Sequence, residues 1–192
     1  MKLPVILDLE TKEKFSNVNY DRKKLGVSLV GVYDYNTGIS EAFVEKDFSK
    51  LFKILENCSY LVGYNIKSFD IPVLQTVYPG DFSRFMVFDL LDDIKDKVGK
   101  RLALNYVAQA TLGKRKSGNG LQAIEYFRNG EMDKLKKYCL DDVTLTKELF
   151  DYGVKNGEIF LMDNMNKSSV KVDWKKILEP AQRNESHLTL PF

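Results

Sequence analysis

Four acids stand out in this sequence for where they fall. Asp8 and Glu10 close an apolar run, Leu3–Leu9. If that run is a strand, alternate side chains share a face, which groups Ile6, Asp8 and Glu10. Neighbouring carboxylates repel each other unless water or a cation separates them, and a solvated strand end is the ordinary reading of such a pair. Asp70 follows a second apolar run, Tyr60–Tyr64, and a polar turn. An acid there is ordinarily a helix cap or a dipole partner. Asp142 is different. The spacing predicts a long helix over Met132–Tyr152, on which Tyr138, Asp142, Leu145, Leu149 and Tyr152 form one stripe. Lys134, Lys137, Asp141, Thr144 and Glu148 form the opposing polar stripe. Asp142 therefore faces the core, where a carboxylate is costly unless it is paired or holds a metal. Tyr138 lies one turn before it on the same face. Together Asp8, Glu10, Asp70 and Asp142 are a set of hard oxygen donors. Such donors suit Mg²⁺ or Mn²⁺, and four carboxylates are the supply that a two-metal phosphoryl site needs.

The elements that must position these acids follow from pattern. Val27–Tyr35 and Ile39–Val44 read as a hairpin across Asn36-Thr37-Gly38. Phe48–Glu56 is an amphipathic helix, Ser68–Val77 another, and Phe85–Phe88 a short strand. Helices are expected over Leu102–Leu112 and Gln122–Arg128, separated by the basic, glycine-rich loop Gly113–Gly120. Lys12–Leu25 reads as a loop, and Ile159–Met162 with Val170–Val172 as a small hairpin. Trp174 is expected to pack that hairpin on the domain. Five strands with helices interleaved and then dominant predict an α/β fold: a mixed five-stranded sheet flanked by helices, a small C-terminal hairpin and a flexible tail. The expected units are 1–155 for the main domain, 156–174 for the hairpin and 175–192 for the tail.

Composition narrows the chemistry. The chain has 192 residues, one histidine and two cysteines. One domain is expected at that length. A lone histidine, His187 near the C-terminus, excludes an HExxH zinc site and leaves no plausible Ser-His-Asp triad. Cys58 and Cys139 cannot build a four-cysteine zinc site, and both read as buried thiols of a reducing compartment. No apolar stretch is long enough for a membrane span, and the N-terminus lacks a cleavage region, so a cytoplasmic protein is expected. The net charge of +2 argues for no partner by itself. Lys114, Arg115 and Lys116 read as a phosphate-contacting loop or as an ordinary solvated one.

Three segments in order resemble the DEDD exonuclease superfamily, on the ribonuclease H-like fold. Leu7-Asp8-Leu9-Glu10-Thr11 is similar to its first motif. Gly63-Tyr64-Asn65-Ile66-Lys67-Ser68-Phe69-Asp70 resembles its second, with the spacing of family B polymerase proofreading domains. Tyr138-Cys139-Leu140-Asp141-Asp142 resembles its third, in the tyrosine-subclass form. Leu102–Phe150 is also similar to YprB-like ribonuclease H-like domains. The resemblance covers residues 3–155.

The resemblance implies a 3′–5′ exonuclease that hydrolyses single-stranded nucleic acid from its 3′ end, with two Mg²⁺ or Mn²⁺ ions per site, in a role such as DNA repair. It implies that Asp8, Glu10, Asp70 and Asp142 hold the metals and that Tyr138 orients the attacking water. Leu9 and Thr11 would contact the terminal nucleotide, Leu9 by packing on the base, with Asn65, Lys67, Ser68 and Phe69 also on the substrate side. An RNA-trimming or structure-specific nuclease of the same fold is the alternative, and a catalytically silent nucleic-acid-binding module the reading from another class. Finally, His187-Leu188-Thr189-Leu190-Pro191-Phe192 resembles the bacterial sliding-clamp-binding motif, with His187 in place of its usual Gln. That resemblance implies a clamp partner held through Leu188, Leu190 and Phe192, and favours DNA over RNA.

Overall fold

The computed structural model describes residues 2–116, 118, 120–163 and 166–179. Strand β1, Val5–Thr11, lies at the centre of a five-stranded sheet. It pairs antiparallel with β2, Val27–Asp34, which pairs antiparallel with β3, Ile39–Phe43. On its other side β1 runs parallel to β4, Leu61–Gly63, which runs parallel to β5, Val87–Asp89. The order is β3-β2-β1-β4-β5, a mixed sheet as expected. The hairpin turns at Gly38, whose φ of 74° a β-carbon would oppose.

Helices cover both faces. Val5, Leu7 and Leu9 of β1 point into one core with Leu51 and Leu55 of α1 (Phe48–Glu56) and Val73 and Leu74 of α2 (Asp70–Leu74). Ile6 points into the other, with α3 (Leu90–Val98), α4 (Leu104–Leu112) and the long α6 (Met132–Asn156). The short α5, Gly120–Arg128, packs on α6 and β1. The small hairpin is β6, Glu158–Asp163, with β7, Asn166–Lys171. Its Ile159 and Leu161 are buried in the second core, and Thr111 Oγ1 of α4 exchanges hydrogen bonds with the Phe160 backbone. Trp174 is fully buried, stacked on Phe150, and donates its indole N–H to Asp93 at 2.7 Å.

Several expectations are corrected. The helix expected over Ser68–Val77 starts at Asp70 and ends at Leu74, because Asn65 takes a left-handed turn with φ 70° and its loop closes before the helix begins. Helix α3 is absent from the sequence reading. It is capped by Asp89, whose side chain accepts the Leu91 N–H, and ended by left-handed Gly99. The tail expected from residue 175 begins instead with one helical turn, α7, Lys175–Leu178, with Ile177 buried. Cys58 is only partly buried, unlike Cys139. The segment Lys12–Leu25 contains two 3-10 turns, Phe15–Val18 and Arg22–Lys24. The hexapeptide His187–Phe192 lies outside the described residues.

Candidate active site

The four acids arrive from three elements. Asp8 and Glu10 project from β1 toward α6, on the face that Ile6 also uses. The β1–β2 register shifts between Glu10 and Thr11, a bulge at the strand end that carries the pair. Opposite Asp8 on β2 stands Gly31. A β-carbon there would lie 2.7 Å from Cys139 Sγ and 3.0 Å from Val143 Cγ2 of α6. The missing side chain lets α6 close directly on the sheet, one turn from Asp142. Asp142 itself is 2% exposed, on the buried stripe that the periodicity predicts. Its neighbour Asp141 faces outward and pairs with Lys137 at 2.7 Å. Asp70 opens α2, yet caps nothing: its Oδ1 accepts the backbone N–H of Leu9, between Asp8 and Glu10, at 3.0 Å.

One oxygen each from Asp8 and Glu10 and the Cys139 sulfur lie within 4.8 Å of one another. The cluster is electrostatically crowded. Burial and then the Asp142 charge push Asp8 up to about 7. Burial, then Asp8 and Asp142, push Glu10 well above the usual carboxylate range. Burial and Asp8 do the same to Asp70. Asp142 is also raised, by burial, against the lowering effect of Lys116 and of the nearby Tyr138 hydroxyl.

These donors fit a divalent cation. Among the described residues, Asp142 Oδ1 is buried with no hydrogen-bond partner, a costly state for a carboxylate oxygen unless something else engages it. The Cys139 thiol is held protonated by burial and by Asp8, so the site's ligands are the hard oxygens. Tyr138 is 6% exposed. Burial and the charges of Asp142, Glu10 and Asp8 raise its pKa, so the hydroxyl keeps its proton.

The expected substrate residues are placed unevenly. Leu9 is 4% exposed and sits in the first core; its side chain is closed off, so the packing expected of it against a base is not available in this arrangement. Phe69 packs against Phe15 beside that core. Thr11 is buried and donates to the Glu13 carbonyl at 3.0 Å. Asn65 stands at the cleft with its side-chain oxygen accepting from Ser68 and from Arg101. Lys67 pairs with Asp92 at 3.7 Å.

Two site residues escape the sequence reading, and a third makes a contact that the reading does not foresee. Asp89, 2% exposed, holds the second-motif loop: its oxygens accept the N–H groups of Asn65 at 2.8 Å and Lys67 at 2.9 Å. Its cap position before Leu90 is the available signal. Arg101 reaches Asn65 from the α3–α4 connection, with no local signal beyond its charge. Lys116 is read as a cation of a phosphate-contacting or solvated loop, and its ammonium reaches Asp142 Oδ2 at 2.6 Å. Asp8, Asn65, Arg101, Asn105 and Lys116 line a cleft of about 420 Å³. A larger groove of about 910 Å³ adjoins it, sharing Ala103 and Asn105 and continuing past Tyr106, Gln109, Arg115 and Lys167.

No helix among the described residues is long and apolar enough to cross a membrane. No curated protein matches the chain. Among solved structures, the family B DNA polymerase of the hyperthermophilic archaeon Pyrobaculum calidifontis is similar, at 19% identity and a TM-score of 0.58. The match covers 79% of this chain and 24% of the polymerase. RNase D of Trypanosoma brucei is similar at 17% identity and a TM-score of 0.55, over 79% of this chain and 57% of that one. The chain thus spans less than two thirds of either protein, and what they share with it is the fold, the ribonuclease H-like arrangement that the three motifs imply. The RNase_H superfamily model matches residues 5–154, from β1 through most of α6, and the chain belongs to that superfamily.

Proposed function

We propose that this chain is a divalent-metal-dependent 3′–5′ exonuclease acting on single-stranded nucleic acid. The observation that carries the reading is the convergence of Asp8, Glu10, Asp70 and Asp142 at the end of β1, with Asp142 Oδ1 buried and unpartnered among the described residues. A silent binding module has no need of carboxylates crowded until each resists ionising. Two Mg²⁺ or Mn²⁺ ions, when bound by these carboxylates, would supply an activated water and neutralise the leaving 3′ oxygen.

The chain's own residues do the positioning. Asp70, tied to the Leu9 N–H, fixes the strand end between Asp8 and Glu10. Tyr138 stays protonated beside Asp142, so it orients by hydrogen bond rather than acting as a phenolate base. Asn65, Arg101 and Lys116 present amide and cationic groups to the cleft, the complement of a sugar-phosphate end. The adjoining groove suits the strand behind that end. Among the described lining residues there is no acid, Arg115 and Lys167 supply positive charge, and Tyr106 is 36% exposed for stacking.

DNA is the preferred substrate and a bacterial sliding clamp the preferred partner, both on the resemblance carried by His187–Phe192. RNA is the alternative, supported by the fold shared with RNase D. The test is incubation with 5′-labelled and 3′-labelled single strands of DNA and RNA, in Mg²⁺, Mn²⁺ or EDTA. A ladder shortening from the 3′ end, abolished by EDTA, is expected. Full-length product in every metal would overturn the reading. A binding assay of peptide 181–192 against a bacterial clamp, with Leu190→Ala and Phe192→Ala as controls, tests the partner.

A further inference from the structure

Three cations follow one another in the segment after α4, and their surroundings differ. Lys114 reaches out to Glu148 at 2.6 Å and stays 55% exposed. Arg115 donates to Gln109 at 2.9 Å. Lys116 turns inward. Its backbone N–H is held by Asn105 Oδ1 at 2.8 Å, and its ammonium lies 2.6 Å from Asp142 Oδ2, with the two side chains 25% and 3% exposed. Burial lowers its pKa, but the charges of Asp8, Asp142 and Glu10 outweigh that and raise it above the usual lysine value. Lys116 is the cation that opposes the charges of Asp8, Glu10 and Asp142.

We propose that Lys116 is a built-in counter-ion of the carboxylate site, which a divalent cation engaging Asp142 must drive off, so that Lys116 sets the site's metal affinity and is handed to the substrate phosphate once metal is in place. The proposal rests on the metal reading above. An ammonium and a dication on the two oxygens of one carboxylate repel each other across the few ångströms between them. A metal that engages Asp142 through Oδ1 therefore loosens Lys116 from Oδ2. The released ammonium still lines the cleft with Asn65, Arg101 and Asn105, where a phosphodiester would replace Asp142 as its partner. Loading of metal and capture of an anionic strand are then coupled through one side chain.

Mn²⁺ binding by calorimetry, on the full chain, tests this with Lys116→Met and Lys116→Arg. Lys116→Met keeps the aliphatic stem and is expected to bind Mn²⁺ about tenfold tighter, with Lys116→Arg within about threefold of wild type. In wild-type protein, acetylation of Lys116 read by mass spectrometry should be slow without metal and rise severalfold at saturating Mn²⁺, while Lys114 stays unchanged. Equal Mn²⁺ affinity in wild type and a folded Lys116→Met, or Lys116 labelling indifferent to metal, would overturn the proposal. Asp142→Asn separates the two readings. If it loses Mn²⁺ while Lys116→Met equals wild type, only the role of Lys116 falls. If neither wild type nor Lys116→Met binds Mn²⁺, the metal reading falls with it.

Discussion

Asp70 Oδ1 accepts the backbone N–H of Leu9 at 3.0 Å across 61 positions of sequence. The second motif is thereby tied to the middle of the first, and one carboxylate both braces the strand end and faces the metal ligands. The two duties can be separated. In Asp70→Asn the amide oxygen can still accept the Leu9 N–H, so stability should stay within about 1 kcal/mol of wild type. Nuclease activity should fall by about 100-fold or more, because the charge is gone. Asp70→Ala should lose activity and also destabilise the fold by about 1–3 kcal/mol, since it leaves that buried N–H unpaired. Urea unfolding alongside single-turnover rates distinguishes the variants. Equal stability for both would show that the hydrogen bond contributes nothing.

Asp141 and Asp142 are adjacent, yet only Asp142 belongs to the site. Asp142→Asn should cut turnover by about 100-fold or more, whereas Asp141→Asn breaks an exposed pair with Lys137 and should stay within about threefold. Relief of carboxylate repulsion alone would make Asp142→Ala stabilising in the absence of metal. The Lys116 ion pair removes that expectation, because the substitution also strands a largely buried ammonium. Similar rates for the two variants would mean that the helix presents the other face.

Periodicity is what made the carboxylates legible. Strand alternation groups Asp8 with Glu10, and the helical repeat separates Asp142 from Asp141 without any tertiary knowledge. Lys116 is legible only as a loop cation that could meet phosphate; its pairing with Asp142 is not, because a loop position does not encode where a long side chain reaches. Asp89 was missed for a related reason: it serves N–H groups of a loop more than twenty positions earlier. Helix α3 went unread because Asp92, Asp93, Lys95 and Lys97 obscure the spacing of Leu90, Leu91, Ile94 and Val98. The role of Gly31 is visible only once α6 is seen lying against it.

The crowded carboxyls give the metal-free protein an inverted pH dependence. A carboxyl raised by folding, as Asp8 is from 3.8 to about 7, binds its proton more tightly in the folded state. Its contribution to stability is complete below about pH 4 and is lost as pH rises through about 7. In EDTA the wild-type melting temperature should therefore fall between pH 5 and pH 8 more steeply than that of Asp8→Asn. Saturating Mg²⁺ should remove most of the difference by favouring the ionised form. Parallel pH profiles for the two proteins in EDTA would refute it.

Tyr138 combines a buried ring with a hydroxyl beside Asp142. Tyr138→Phe keeps the ring and removes the hydroxyl. Turnover is expected to drop by about 10- to 100-fold, with Mn²⁺ affinity within about threefold of wild type, since the metal-facing carboxylates remain. Because the hydroxyl stays protonated, no rise in rate through pH 10 should report its ionisation. Single-turnover kinetics and calorimetry decide between this role and simple packing. Unchanged turnover would leave Tyr138 as a core aromatic only.

The groove beyond the cleft makes a prediction about substrate length. If the strand behind the reacting 3′ end lies past Ala103 and Asn105, it meets Tyr106, Arg115 and Lys167. A dinucleotide fills only the cleft, whereas an oligonucleotide of about eight residues spans both. Tyr106→Ala should weaken the longer substrate by about 1–3 kcal/mol, the loss of one stacked base. Lys167→Glu should weaken it and flatten the salt dependence, as one phosphate contact is replaced by a repulsion. Neither substitution should alter cleavage of the dinucleotide, because neither residue lines the cleft that holds the carboxylates. Lys167 sits on the exposed β7 hairpin and Tyr106 on the outer side of α4, so folding should be unaffected, which circular dichroism checks. Binding of labelled oligonucleotides in Ca²⁺ at 50 and 200 mM salt, with dinucleotide turnover in Mg²⁺, provides the comparison. A loss that is equal for short and long substrates would place the strand elsewhere, on the β4–β5 side of the cleft.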